Sequence, residues 1–291
     1  MSLNIVVLAK QVPDTHNVGK DAMKEDGTIN RAALPAIFNP EDLNALEQAL
    51  QLKDKYEGST ITMLTMGLPR ASEVIREGLY RGADGGIVLT DRALGGADTL
   101  ATSYSLAQAV KHLDNVDIII GGRQAIDGDT AQVGPQIAEK LGLPQVTYAE
   151  AILDIKDGKV TVKRRLENGF EVVESPMPCV ITVNGSADAC RPRNARRIQK
   201  YKYAAAPGEM AAISDKQKAI IEARPELQIK QWGAADVNAD PEQIGMPGSP
   251  TKVKSIENVV FTAKESLTLD GADDAGLEQL IKTLITNHTI G

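Results

Sequence analysis

Hydrophobic positions in the first half of the chain alternate between two patterns. Short continuous apolar runs predict buried strands at residues 4–9, 60–65, 86–90, 117–120 and 145–148. Between these runs, apolar residues recur at helical spacing and predict helices at 40–56, 69–80, 99–113 and 131–141. This alternation predicts an α/β fold, in which a doubly wound, mostly parallel sheet carries helices on both faces and has right-handed crossovers.

The carboxyl edge of this sheet is the expected binding edge. We predict the strand order 3-2-1-4-5, which is the adenine-nucleotide-binding type and places the first and fourth predicted strands side by side. The turn at 9–14 would then face the turn that follows residue 120. No Gly-x-Gly-x-x-Gly follows the first strand, which argues against an ordinary Rossmann dehydrogenase.

A glycine-rich turn at 121–134 is the most informative motif. It reads Gly-Gly-Arg-Gln-Ala-Ile-Asp-Gly-Asp-Thr-Ala-Gln-Val-Gly and joins the fourth predicted strand to a helix. Such a turn directs backbone N–H groups and the positive end of a helix dipole at one point, which suits a phosphate or a diphosphate. The turn therefore predicts a cofactor that contains a nucleotide.

The same residues allow a simpler interpretation. Asp129 with Gln132 matches a capping box, so the segment could merely start a helix. Asp127 and Asp129 would also repel a phosphate unless their side chains turn inward. We expect Asp129 to cap the helix, which would leave the backbone N–H groups and Arg123 to face the anion.

Beyond residue 149 the pattern changes. Runs at 151–155, 159–166 and 170–174 predict strands joined by the hairpin signals Asp157-Gly158 and Asn168-Gly169, and 178–183 predicts a further strand. We expect these strands to extend the sheet. The basic segment 191–202 fits a solvated helix face or, alternatively, a docking loop for an acidic partner.

Residues 204–291 contain frequent prolines and glycines and one tryptophan, Trp232. We expect a nucleotide-binding α/β domain at 1–203, including the added strands, and an extension at 204–291 that wraps a partner subunit with Trp232 as an anchor. The alternative is an extension loosely packed on its own domain. An amphipathic helix predicted at 275–286 suits docking.

Composition narrows the function classes. The chain has 291 residues, 42% of them hydrophobic, and a net charge of -7, which argues against a nucleic-acid or membrane-surface role. Its first residues predict a strand instead of a signal peptide, and no apolar run is long enough to span a membrane, so we expect a cytoplasmic protein. Cys179 and Cys190 predict unlinked thiols, and three scattered histidines make a zinc site improbable.

Several ordered motifs resemble the beta subunit of electron-transferring flavoprotein. They are Ala9-Lys-Gln-Val-Pro-Asp-Thr15, Asn39-Pro-Glu-Asp42, the Gly-Arg-Gln-Ala-Ile-Asp-Gly-Asp turn, Pro178-Cys-Val-Ile-Thr182, Pro192-Arg193 and Gly245-Met-Pro-Gly-Ser-Pro-Thr-Lys-Val253. The resemblance covers most of the chain. It implies pairing with a larger alpha subunit that carries FAD between the subunits.

The resemblance also implies a second cofactor, in the beta subunit's own cleft. This cofactor is AMP in simple carriers and FAD in the electron-bifurcating branch. Carried over position by position, the cleft would use Ala9, Asn39, Pro40, Glu41, Asp42, Met66, Arg123, Gln124, Ala125, Ile126, Asp127, Gly128, Asp129, Thr130, Ala131, Gln132, Val133 and Gly134.

The small residues after Asp127 resemble the bifurcating branch. Simple carriers tend to have a second acidic residue at the position of Gly128 and bulkier residues at Thr130 and Ala131. A glycine at 128 permits close backbone approach to a longer ligand and a positive φ, although it could simply serve the turn. The bifurcating branch implies NAD(H) as substrate, ferredoxin or flavodoxin as low-potential acceptor, and a dehydrogenase of the acyl-CoA type as partner. The alternatives are a carrier subunit with structural AMP, or an ATP- or AMP-binding stress-type module.

Overall fold

The computed structural model describes residues 1–14, 35–251 and 268–290. Its strands are β1 (Asn4–Leu8), β2 (Gln11–Pro13), β3 (Ala36–Phe38), β4 (Thr60–Met66), β5 (Gly85–Leu89), β6 (Ile118–Gly122), β7 (Gln145–Lys156), β8 (Lys159–Leu166), β9 (Gly169–Pro176), β10 (Cys179–Val183) and β11 (Lys230–Trp232). Its helices are α1 (Pro40–Lys55), α2 (Ser72–Arg81), α3 (Thr99–Lys111), α4 (Val133–Leu141), α5 (Ala195–Tyr201), α6 (Asp215–Glu222) and α7 (Asp274–Thr286). Short 3₁₀ segments lie at Pro69–Ala71, Arg92–Leu94, Pro207–Ala212 and Pro225–Leu227.

The main sheet has nine strands in the order β11-β5-β4-β1-β6-β10-β7-β8-β9. Pairing is parallel from β11 to β7 and antiparallel from β7 to β9, so the predicted mostly parallel α/β sheet is confirmed. The predicted adjacency of the fourth and fifth strands is wrong, because β10 lies between β6 and β7. All five side chains of β10 are buried, and a strand this apolar needs a position inside the sheet.

Helices cover both faces of the sheet. One buried cluster joins α1 and α2 to the sheet through Leu46, Leu50 and Ile75. A second cluster joins α3 and α4 to the opposite face through residues such as Leu106 and Ile137. Both faces of the sheet are therefore covered, and the loops at the carboxyl ends of the strands are left to form a binding site.

The antiparallel part follows its turn signals. Asp157 and Gly158 have φ values of 50° and 75°, as a two-residue hairpin with a right-handed strand twist requires. The second turn joins β8 to β9, and Gly169 is the first residue of β9. The strands predicted at 145–148 and 151–155 are one strand, β7, whose pairing with β8 is irregular between Ala149 and Ala151.

Several basic side chains of the segment 191–202 bond to acidic side chains and backbone carbonyls of the chain itself. Arg191 pairs with Glu47 at 2.9 Å and with Asp54 at 2.7 Å. Arg193 pairs with Glu77 at 2.8 Å. Only part of this segment is therefore available to an acidic partner. Cys179 and Cys190 are free thiols, as predicted, and burial raises the pKa of Cys179 to about 11.

Residues 204–251 pack on the α/β domain. The chain divides into compact units at Met1–Val253 and Lys254–Gly291, whereas the boundary expected from the sequence lies at residue 203. β11 adds an edge strand beside β5, and half-buried Trp232 packs against the α3 and α4 core with His112 edge-on at 6.3 Å. Trp232 thus anchors this segment to its own domain.

Close backbone contact explains one glycine of this segment. A Cβ at Gly245 would lie 2.0 Å from the carbonyl oxygen of Ala93, and the φ of Gly245 is 54°. Only glycine fits this contact and this conformation together. The segment around residue 245 is therefore built against the loop that follows β5.

The C-terminal unit contains α7, and the helix predicted at 275–286 is confirmed. Ile281 and Ile285 are about half exposed on it, each at 52%. Within the three described ranges, no helix is both long and apolar enough to cross a membrane.

Candidate functional site

A cleft of about 440 Å³ opens at the carboxyl edge of the sheet. β1 and β6 are parallel neighbours, with Val7 opposite Ile120, so the loops that follow them meet at this edge. Of the predicted site residues, the cleft is lined by Ala9, Asp42, Met66, Arg123, Gln124, Ala125, Gly128, Asp129, Thr130, Ala131, Gln132, Val133 and Gly134.

The other predicted residues lie behind the cleft wall. These are Asn39, Pro40, Glu41, Ile126 and Asp127, which are not part of the lining. Pro40 is the first residue of α1, and Asn39 occupies its N-cap position without a side-chain cap bond. The Asn39 side chain reaches the turn instead, donating to the Gln124 carbonyl at 2.9 Å and accepting from the Ile126 amide at 3.2 Å.

The first turn of α1 holds the two cleft loops together. One Asp42 carboxylate oxygen accepts the amide of Lys10 at 2.8 Å, and the other accepts the amide of Gly122 at 2.9 Å. Glu41 accepts the Gln124 amide at 2.9 Å. A Cβ on Gly122 would lie 2.4 Å from Asp42 Oδ1, so the contact requires glycine there. The Asn39–Asp42 motif is therefore a scaffold for the turn.

This scaffold uses up the amides of the first part of the turn. Those of Gly122, Gln124 and Ile126 donate to Asp42, Glu41 and Asn39. The Arg123 amide donates to the Val183 carbonyl, and those of Gly128 and Asp129 donate to the Ala125 carbonyl. These six amides have partners within the protein, which corrects the expectation that the whole turn presents N–H groups to an anion.

The amides of Thr130, Ala131, Gln132, Val133 and Gly134 are different. Within the part of the chain that the structure describes, none of these five has a hydrogen-bond acceptor, and all five residues line the cleft. Gln132 precedes α4 and makes no side-chain cap bond. Five donors that have no acceptor among the described residues, at a helix start with the dipole behind them, are chemically suited to an anion.

Two left-handed residues give this segment its shape. Asp129 and Ala131 both have φ of 51°, whereas Gly128, expected to have a positive φ, does not. Alternation of right- and left-handed residues turns successive amides toward one concavity. The predicted capping box is also wrong, because α4 begins at Val133 and Asp129 instead accepts a bond from the Gln124 side chain at 2.8 Å.

The opposite wall of the cleft escaped the sequence analysis. It consists of Gly96, Ala97, Asp98 and Thr99, which follow β5 and open α3. Asp98 caps α3 by accepting the amides of Leu100 at 2.9 Å and Ala101 at 3.1 Å. A glycine pair followed by an acidic residue at a predicted helix start was the available signal. Thr99 Oγ1 donates to Gln132 Oε1 at 2.9 Å and so joins the two walls.

Charged side chains in the cleft are compensated within the protein. Lys10 pairs with Asp127 at 2.7 Å, and Arg123 pairs with Glu41 at 3.0 Å. Arg123 also lies 5.4 Å from the Tyr148 ring. Arg123 is therefore not the free cation that the sequence suggested, and the amides at 130–134 are the donors that remain for an anion.

Another part of the lining is apolar. Leu8, Leu64, Met66, Leu94, Leu106 and Val180 form this part of the wall. An apolar surface beside a set of convergent N–H donors suits a flat aromatic base linked to a phosphate. The lining also includes Lys10, Gly121 and Gly122, which belong to the two turns predicted to face each other, and Thr102 and Thr182, which the sequence analysis had not assigned to the cleft.

Burial changes the acidity of Asp42. It raises the pKa of this carboxyl from 3.8 to about 7, although hydrogen bonds from the Lys10 amide, the Asn39 side chain and the Gly122 amide lower it. The charge of Asp42 is therefore sensitive to pH in the neutral range.

The fold and the cleft define an α/β protein with a candidate site at the carboxyl edge of its parallel sheet, and comparison with known proteins identifies the family. The electron transfer flavoprotein domain matches residues 26–220. The electron transfer flavoprotein subunit beta of Clostridium acetobutylicum is 44% identical over 252 residues, covering 87% of this chain and 86% of the relative. The chain belongs to the electron transfer flavoprotein family, as a beta subunit.

Two further relatives are named for the complexes they serve. The caffeyl-CoA reductase-Etf complex subunit CarD of Acetobacterium woodii is 43% identical over 251 residues, covering 86% of each chain. The acryloyl-CoA reductase electron transfer subunit gamma of Anaerotignum propionicum is 42% identical over 295 residues, covering 99% of this chain and 100% of the relative.

The raised pKa of Asp42 gives a testable pH dependence. The folded protein holds a proton on Asp42 that the unfolded chain releases between about pH 4 and pH 7, so ionisation of Asp42 lowers stability as the pH rises through this window. The slope contributed by one group is at most about 1.4 kcal/mol per pH unit. Urea unfolding of wild type and Asp42→Asn across this range should show a shallower pH dependence in the variant. Parallel curves would contradict the assignment.

Proposed function

We propose that the cleft of this beta subunit binds FAD and that the subunit takes electrons from NADH. The observation that carries the proposal is the row of five amides at 130–134 that lie within the cleft and have no acceptor among the residues that the structure describes. These amides would hold the diphosphate of the cofactor, and the apolar wall that includes Leu64 and Met66 would face a flat ring.

Open space beside Gly128 favours FAD over AMP. A Cβ added at this residue would meet no protein atom within 4 Å, although Gly128 lines the cleft. A ligand longer than a mononucleotide can use this space, whereas an acidic side chain would occupy it and repel a second phosphate. AMP in the same cleft is the second candidate, because the amides at 130–134 lie at one helix start and suit a single phosphate equally well.

The proposed activity is electron bifurcation. Bound FAD supplies two-electron uptake and one-electron release, which no amino-acid side chain can provide. Electrons from NADH would be divided between a low-potential acceptor, ferredoxin or flavodoxin, and a second FAD shared with the alpha subunit. The chain's own contribution is binding: the amides at 130–134 hold charge, and Asp42, Glu41 and Asn39 keep the turn in place.

The relatives' names support a partner of the acyl-CoA type. Two of them are named as electron-transfer subunits of caffeyl-CoA reductase and acryloyl-CoA reductase. We propose that the alpha-subunit FAD of this complex likewise serves an acyl-CoA dehydrogenase or reductase.

Cofactor stoichiometry tests the proposal directly. We expect the purified heterodimer to release two FAD per pair of subunits, and to oxidise NADH when ferredoxin or flavodoxin and the partner enzyme are both present. Flavin absorbance of the denatured complex and a chromatographic assay for AMP give the count. One FAD and one AMP per heterodimer, without NADH oxidation, would leave only the passive carrier.

A substitution at Gly128 tests the location of the cofactor. Gly128→Asp should weaken FAD binding in the beta cleft by about tenfold or more, because a carboxylate would lie near the diphosphate, and should leave the alpha-subunit FAD bound. Equilibrium dialysis against FAD measures both sites. Gly85→Asp is the matched control, since Gly85 also has open space and lies at the opposite edge of the sheet. Gly128→Asn separates charge from size. Full retention of both flavins in Gly128→Asp would show that the site is elsewhere.

We propose that the unit Lys254–Gly291 docks on the alpha subunit through α7. Ile281→Ser with Ile285→Ser should weaken heterodimer formation by at least about tenfold, since both side chains are half exposed and would be buried by a partner. Analytical ultracentrifugation of the two subunits measures the affinity. Glu278→Ser with Lys282→Ser, which removes an exposed ion pair of the same helix, is the control. Equal assembly of all three proteins would refute the docking surface.

A further inference from the structure

Asp98 lies between the cofactor cleft and the segment 245–251. Asp98 lines the cleft, and its carboxylate accepts hydrogen bonds on two sides. One oxygen accepts the amides of Leu100 and Ala101 at the start of α3, at 2.9 and 3.1 Å. The other accepts the Thr251 hydroxyl at 2.7 Å and the Thr251 amide at 3.1 Å. One carboxylate therefore fastens a cleft wall to a segment about 150 residues away in sequence.

Ser249 makes a second connection between the same parts. Its hydroxyl accepts the Asp98 amide at 2.8 Å and donates to the Gly245 carbonyl at 2.6 Å. Ser249 is only 6% exposed, so these bonds are sheltered from water. The Gly245 backbone lies in close contact with the Ala93 carbonyl. Together with the bonds of Asp98, this contact joins the loop 93–98 to the segment 245–251 at both ends.

The connection continues to the anion site. Thr99, next to Asp98, donates to the Gln132 side chain, and Gln132 carries one of the five unpartnered amides. A chain of contacts thus runs from Thr251 through Asp98 and Thr99 to Gln132. No residue of the segment 245–251 lines the cleft itself.

We propose that Asp98, Ser249 and Thr251 form a clasp that positions the cleft wall, so that the segment 245–251 determines how tightly the beta subunit binds its nucleotide. This inference rests on the proposed nucleotide-binding function. The three are positioning residues that act through the start of α3. Coupling is reciprocal by thermodynamic necessity, so a bound nucleotide also keeps the clasp closed. The clasp ends at Thr251, next to the residues that lead into the C-terminal unit.

The test uses the full-length heterodimer, freed of its beta-cleft nucleotide and titrated with AMP as the probe. Thr251→Val keeps the shape of the side chain and removes the hydroxyl bond to Asp98, and it should raise the dissociation constant for AMP about fivefold to tenfold. Thr251→Ser should restore the wild-type value. Thr60→Val is the control, because the Thr60 hydroxyl donates to the Asn4 side chain at the amino ends of β1 and β4, at the opposite edge of the sheet from the cleft.

A second measurement separates positioning from general destabilisation. Addition of AMP should slow hydrogen exchange at the amides of Leu100, Ala101 and Thr251 in the wild type, and much less in Thr251→Val. An unchanged AMP affinity in Thr251→Val, with a wild type that binds AMP, would overturn the clasp alone. Failure of the wild type to bind either AMP or FAD in this cleft would overturn the proposed function and the clasp together.

Discussion

The Asp42 carboxylate is the interaction on which the binding edge depends. It accepts one amide from the loop after β1 and one from the end of β6, at 2.8 and 2.9 Å, and so fixes the distance between two parallel strands where their ladder stops. Buried amides without acceptors are costly, and a single carboxylate at the start of α1 satisfies two of them. Glu41 and Asn39 extend the same arrangement along the turn. One short motif at a helix start therefore sets the shape of a loop 80 residues later.

Satisfied and unsatisfied amides divide the glycine-rich turn into two functional parts. The first part, up to Asp129, is held by the protein itself. The second part, 130–134, leaves its donors to the cleft. This division shows how a turn that contains two aspartates would be compatible with the proposed anion. Asp127 is paired with Lys10, Asp129 accepts a hydrogen bond from Gln124, and the donors at 130–134 lie beyond both. A rigid first part also keeps the second part preorganised for its ligand.

Residues outside the parallel core contribute to the cleft in an unexpected way. The segment 204–251 belongs to the same compact unit as the sheet and supports the loop after β5 through Asp98 and Ser249. Membership of the electron transfer flavoprotein family gives this arrangement a functional setting, because beta subunits of this family work with alpha subunits. In the proposed function, the cleft wall that is fastened to the segment 245–251 would hold the nucleotide while the alpha subunit is bound.

The local sequence pattern determined the helices and strands of this protein. Tertiary contacts determined the strand order, the packing partners and the pairing of charged side chains. The apolar runs were sufficient for the main parallel strands, helices α1 to α4 and the hairpin at Asp157-Gly158, because period and turn chemistry are properties of neighbouring residues. Of the eighteen residues that the motifs assigned to the cleft, thirteen line it. Nothing local indicated that β10 inserts between β6 and β7 or that Glu41 neutralises Arg123. The sequence left open whether Trp232 packs on a partner or on its own domain, and the structure places it on its own domain. Each of these contacts joins residues that are far apart in sequence, and the spacing of neighbouring residues does not determine which distant residues come into contact.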